Sequence, residues 1–87
     1  MMNFDSILKR LSAKGYLQRA KSADDSGLTI IDYEHNKRND MYALFVDEFG
    51  SVVYIEQTKI KWSDTLKRYA PEVTKIKSLC DFIKAIG

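Results

Sequence analysis

Phe4, Ile7, Leu8 and Leu11 recur at the i, i+3, i+4 and i+7 spacing of one helical face, and Asn3 just before them is a helix N-cap type. The pattern predicts a helix over 4–14, closed by Gly15 in the left-handed conformation with Tyr16 folding back as an apolar contact. Beyond it the period shortens. YLQRAK (16–21) reads as an edge strand with long polar side chains, and SADDSG (22–27) has the composition of a turn. LTIIDYEH (28–35) is rich in β-branched and aromatic residues, NKRND (36–40) is a polar loop, and MYALFV (41–46) is an apolar run of strand length. DEFGS (47–51) places Gly50 where a hairpin loop needs a positive φ, and VVYIEQTKIKW (52–62) returns as a fourth strand. Four strands with short links predict an antiparallel meander.

In the last third, Ser63 and Asp64 fit an N-cap and a first-turn acid for a helix over SDTLKRYA (63–70), which Pro71 would stop. EVTKIKSLCDFIKAIG (72–87) fits two patterns. Val73, Ile76, Cys80 and Ile83 make a helical stripe, so the preferred expectation is helix over most of 72–86 with the Cys80 thiol packed in the core. In the alternative, VTKI is a fifth strand and Ser78 with Asp81 opens a shorter helix over LCDFIKAI. The expected class is α+β, an antiparallel meander of about four strands packed against an N-terminal helix and one or two C-terminal helices.

A chain of 87 residues has room for one domain, 1–87, and 45% hydrophobic with 30% charged residues is a globular balance. No apolar run nears the roughly 18 residues that span a bilayer, so a cytoplasmic protein without membrane contact is expected. A lone cysteine, Cys80, makes no internal disulfide and agrees with a reducing compartment. The net charge of +2 hides a division: residues 1–21 sum to +4, residues 22–58 to −6 and residues 59–87 to +4. The folded surface is therefore expected to be electrically polarised.

Candidate chemistry is sparse. A carboxylate-and-lysine nuclease strand places the two groups two residues apart, whereas Glu56 and Lys59 are three apart and face opposite ways in a regular strand. Asp32 and Glu34 could join Glu56 only in a suitable register. His35 is the one histidine, so no pair with zinc-ligand spacing exists, and no phosphate-binding glycine loop is present. No catalytic set, metal site or cofactor is expected, and a divergent metal-dependent nuclease ranks last among the functional readings.

Binding remains. Lys59, Lys61, Lys67 and Arg68, interleaved with Trp62 and Tyr69, could offer phosphate contacts and stacking surfaces to a nucleic acid, with Lys9, Arg10 and Lys14 adding charge. The acidic middle opposes this. The preferred expectation is a non-enzymatic regulatory protein that docks on a protein or protein–nucleic-acid assembly, of the size common among phage and mobile-element inhibitors of host systems. Its anchors would come from Tyr33, Tyr42, Tyr54, Phe49 and Trp62. The turn Asp47, Glu48, Phe49 suits a basic partner, and the 16–21 edge strand is open to pairing with a partner or a second copy.

Overall fold

The computed structural model describes residues 2–87. The elements run β1 (Met2–Asn3), α1 (Phe4–Ala13), β2 (Leu17–Ala23), β3 (Thr29–Glu34), β4 (Asp40–Val46), β5 (Ser51–Ser63), β6 (Arg68–Ile76) and α2 (Leu79–Ile86). The class is the expected α+β, with one antiparallel sheet of six strands, a leading helix and a trailing helix. The order is β1-β5-β4-β3-β2, and β6 pairs with β5 beyond the short β1 contact.

Local chemistry sets the ends of α1. Asn3 Oδ1 accepts the Ser6 N–H at 3.1 Å, and Gly15 takes φ +88° just after the helix. Tyr16 then turns inward and is buried beside Leu11. The two acidic turns share one design. Asp24 Oδ1 accepts the N–H groups of Ser26 and Leu28, and Asp47 Oδ1 accepts those of Phe49 and Ser51, so each aspartate holds its loop from within.

Registered pairing places Ile31, Leu44, Ile55 and Ile76 in one row across the sheet, and Tyr33, Tyr42 and Gln57 in the next. These rows meet Ile7 and Leu11 of α1 and Phe82 and Ile86 of α2 in one core, so both helices lie on the same face. Gln57 is the buried polar residue of that face, and its amide donates to the Tyr42 hydroxyl at 2.9 Å.

In the last third of the chain the structure overturns two expectations. Residues 68–76 form β6 rather than the end of one helix and the start of another. Ser63 Oγ still accepts the Leu66 N–H as an N-cap would, but Lys67 at φ 55° turns the chain back on β5. Nine paired residues outweigh one capped turn. Pro71 fits because Ile60, opposite it, donates its N–H to Asn39 on the other side. The missing proline donor therefore lies on the open edge of the sheet and costs no ladder bond. Cys80 is exposed, not core. With 73–76 in a strand, α2 starts a new phase in which Phe82 and Ile86 face inward, and Cys80, two residues before Phe82, points out. The alternative of a fifth strand followed by a capped helix is what forms, with Ser78 Oγ accepting the Asp81 N–H.

Burial raises the pKa of the Tyr16, Tyr33 and Tyr42 hydroxyls, that of Tyr42 to about 12. A raised folded-state value means that the unfolded chain releases its protons first. Stability should be fully present below pH 10.0, the ordinary tyrosine value, and fall as pH rises toward 12. Denaturant unfolding across that range, with tyrosinate absorbance recorded in parallel, checks this; a flat profile would contradict the burial of these hydroxyls.

Candidate functional site

The helices cover one face of the sheet and leave the other bare. Its rows are Ile30, Phe45 and Tyr54, then Asp32, Ala43, Glu56 and Lys75, then Glu34, Met41, Thr58 and Val73. Phe45 stacks on Tyr54 with ring centroids 4.3 Å apart, and Lys75 Nζ sits 4.2 Å from the Tyr54 ring centroid. Burial, and then the neighbouring Glu34, raise the Asp32 pKa.

The register decides the nuclease arrangement. Asp32 and Glu56 lie on the same face, but each is opposite Ala43, on its two sides. Two strand spacings, roughly 10 Å, separate their backbones. Pairing of β4 with β5 is regular from Tyr54 to Lys59, so Lys59 faces away from Glu56. Among the described residues no three metal-ligating side chains converge.

Beyond Lys59, the partner of the first residue of β4, strands β5 and β6 continue as a two-stranded arm. Its bare face carries Ile60, Trp62, Tyr69 and Pro71, with Leu66 in the terminal turn and Val73 beside it at the edge of the body. Ile60, Trp62, Leu66, Tyr69 and Val73 are between 43% and 68% exposed, a stripe of large apolar side chains in water. Trp62 and Tyr69 pack edge to face at 5.3 Å, and Trp62 Nε1 donates to Asp64 at 3.1 Å, which fixes the indole. The reverse face carries Lys59, Lys61, Arg68 and Glu72, with Lys61 paired to Glu72 at 3.2 Å.

The two-residue period thus splits the group Lys59, Lys61, Trp62, Lys67 and Arg68. Trp62 faces one way, Lys59, Lys61 and Arg68 the other, and Lys67 sits in the turn. Stacking and phosphate contacts do not share one surface. Ile60, Leu66 and Val73 were missed in the sequence, although the alternation Tyr69, Pro71, Val73 was the available signal.

At the opposite end of the sheet, the 24–27 and 47–50 turns lie side by side around a shallow cleft lined by Ser26, Gly27, Leu28, Asp47, Glu48 and Phe49. Phe49 is 84% exposed at the turn tip. Asp24 is held below the usual carboxylate range by hydrogen bonds, first from Ser26. The two turns carry Asp24, Asp25, Asp47 and Glu48, and the arm carries Lys59, Lys61, Lys67 and Arg68. Of the other tyrosines expected to anchor a partner, Tyr54 is on the bare face, while Tyr33 and Tyr42 are core residues and unavailable.

At the root of the arm, a cleft of about 370 Å³ is lined by Arg38, Asn39, Asp40, Lys59, Ile60 and Lys61. Its polar groups serve the fold. Tyr16 Oη lies 2.7 Å from both Asp40 carboxylate oxygens and donates its one proton to that carboxylate, while Arg38 Nη1 donates to Tyr16 Oη at 3.3 Å.

Both sheet edges are blunted against strand addition. The register of β2 shifts between Gln18 and Ala20, and Arg19 and Lys21 charge that strand. Pro71 interrupts the edge formed by β6. No family model, curated protein or solved structure matches this chain.

Proposed function

We propose that this chain is a non-enzymatic docking protein that presents the Asp47–Gly50 turn, with Phe49 at its tip, to a basic surface on a larger macromolecular assembly. The observation that carries the reading is Phe49, 84% exposed on a backbone that Asp47 pins on both sides. An aromatic ring on a held turn loses little conformational freedom on binding and is a common interface anchor. Glu48 precedes it with a carboxylate that accepts no hydrogen bond within the described residues, leaving it for a basic partner. Such a protein regulates by occupying the surface it binds.

Phe49→Ala should change folding stability by less than about 0.5 kcal/mol, as exposed positions do. The same change should weaken binding at least tenfold to a partner identified by photo-crosslinking from Glu48. Equal affinity, or a large loss of stability, would sink the reading. A second reading rests on the basic arm, where residues 59–72 hold four basic side chains against two acids. Anisotropy of short single-stranded and duplex oligonucleotides at two salt concentrations tests it; micromolar binding that falls steeply with salt would move the function to the arm.

A further inference from the structure

The two outer edges of the sheet are blunted, but the arm opens a third. β4 begins at Asp40, opposite Lys59, so the β4 side of β5 is uncovered along residues 60–63. Main-chain groups alternate sides along a strand. Ile60 turns its N–H away from β6 and donates it to Asn39 O at 3.0 Å, so Trp62, two residues on, turns its N–H and C=O the same way. Among the described residues no strand lies there to meet them.

The two faces beside this edge differ in chemistry. On one stand the exposed Ile60 and Trp62, with the Trp62 indole held by Asp64. On the other, Lys59 and Lys61 line the cleft at the root of the arm together with Arg38. Lys59 and Arg38 have no ion-pair partner among the described residues. The acids nearby are engaged: Asp40 accepts the Tyr16 proton, and Glu72 pairs with Lys61.

We propose that the 60–63 edge receives an extended acidic peptide segment, running antiparallel to β5 in line with β4 beyond Asp40. An apolar residue of the segment sits opposite Trp62, exchanges both main-chain hydrogen bonds with it, and packs on Trp62 and Ile60. The acidic residue next to it sits opposite Lys61, with Lys59 as its diagonal neighbour and Arg38 in the same cleft. Because a strand sends successive side chains to opposite faces, the segment must alternate apolar and acidic residues. Charge decides against a second copy. Pairing this edge with itself would set the Lys59 and Lys61 ammonium groups of both copies side by side on one face, where like charges repel.

Trp62 is the one tryptophan of the chain, so its emission reports on the edge directly. The probe is a capped octapeptide alternating glutamate and valine, titrated against that emission. Saturable binding that weakens as salt rises is expected. The same peptide with lysine in place of glutamate should bind at least tenfold more weakly. N-methylation at the valines, whose amides face the arm, should abolish binding, whereas N-methylation at the glutamates, whose amides face away, should leave it. Lys59→Glu with Lys61→Glu should reverse the preference in favour of the lysine peptide. The methylated peptides are tested on the wild-type chain, so they decide the matter even where that variant does not fold.

No saturation by about 1 mM peptide overturns the proposal, as does equal loss from the two methylations. Emission that shifts with protein concentration alone means that a second copy occupies the edge, and overturns it too. Phe49→Ala should leave peptide binding unchanged, so failure here is separable from failure of the docking reading.

Discussion

Phe82→Ala is expected to lower stability by about 3–5 kcal/mol, the range for removing a buried phenylalanine. For a domain of this size that is on the order of 20 °C in the unfolding midpoint. Phe82 is fully buried, and its ring meets Tyr42 edge on at 5.6 Å. The effect should exceed the lost contact area for a structural reason. An eight-residue helix does not hold its shape alone in water, and α2 docks chiefly through Phe82 and Ile86. Without the ring, the floor under Tyr42 and Gln57 opens to solvent. Leu79→Ala, on the same helix but 37% exposed, should cost well under half as much. Urea unfolding of both variants measures the contrast; a Phe82→Ala loss below about 1 kcal/mol would mean that α2 is not part of the cooperative core.

The second large effect is expected at Gly15. Its φ of +88° is a conformation that a side chain enters at a cost of roughly 1–2 kcal/mol. A Cβ there would also stand 2.9 Å from His35 Nε2. The imidazole does not swing away freely, because its Nδ1 accepts the Lys37 N–H at 3.0 Å and its ring packs edge on against Tyr16 at 5.2 Å. Gly15→Ala should therefore cost about 2–3 kcal/mol, the strain and the collision together. In a His35→Ala background only the strain remains, so the two substitutions should couple by about 1 kcal/mol in a double-mutant cycle. Strict additivity would show that the ring yields without cost. The displaced ring would also disturb Tyr16, which sits between Asp40 and Arg38 and anchors the β3–β4 connection.

The proposed surfaces differ in how far the sequence exposed them. Phe49 stands out because its neighbours Asp47 and Gly50 define a turn, and a turn tip has no core within reach. The sequence places Trp62 on a strand, but its partner Tyr69 falls in the segment whose Ser63 cap predicts a helix, so the apolar stripe is not visible in the sequence. Once β6 pairs with β5, Ile60, Trp62, Tyr69 and Val73 fall on one side and the lysines on the other. Pairing also removed Tyr33 and Tyr42 from the anchors, since a strand rich in large residues on both faces does not say which face the helices will cover.

Local signals alone determined the Asn3 cap, the glycine at the end of α1, the two aspartate-held turns, the meander and the α+β class. Each depends on residues a few positions apart, whose hydrogen bonds and φ preferences act before distant parts of the chain meet. The tertiary structure alone decided residues 63–76, where a helical cap competes with strand alternation. There the local preferences nearly balance, and the balance is broken by a ladder with β5 whose partners do not appear in any short window. It also decided that Asp32 and Glu56 flank Ala43 on a bare face, because register is a property of paired strands and not of either strand alone.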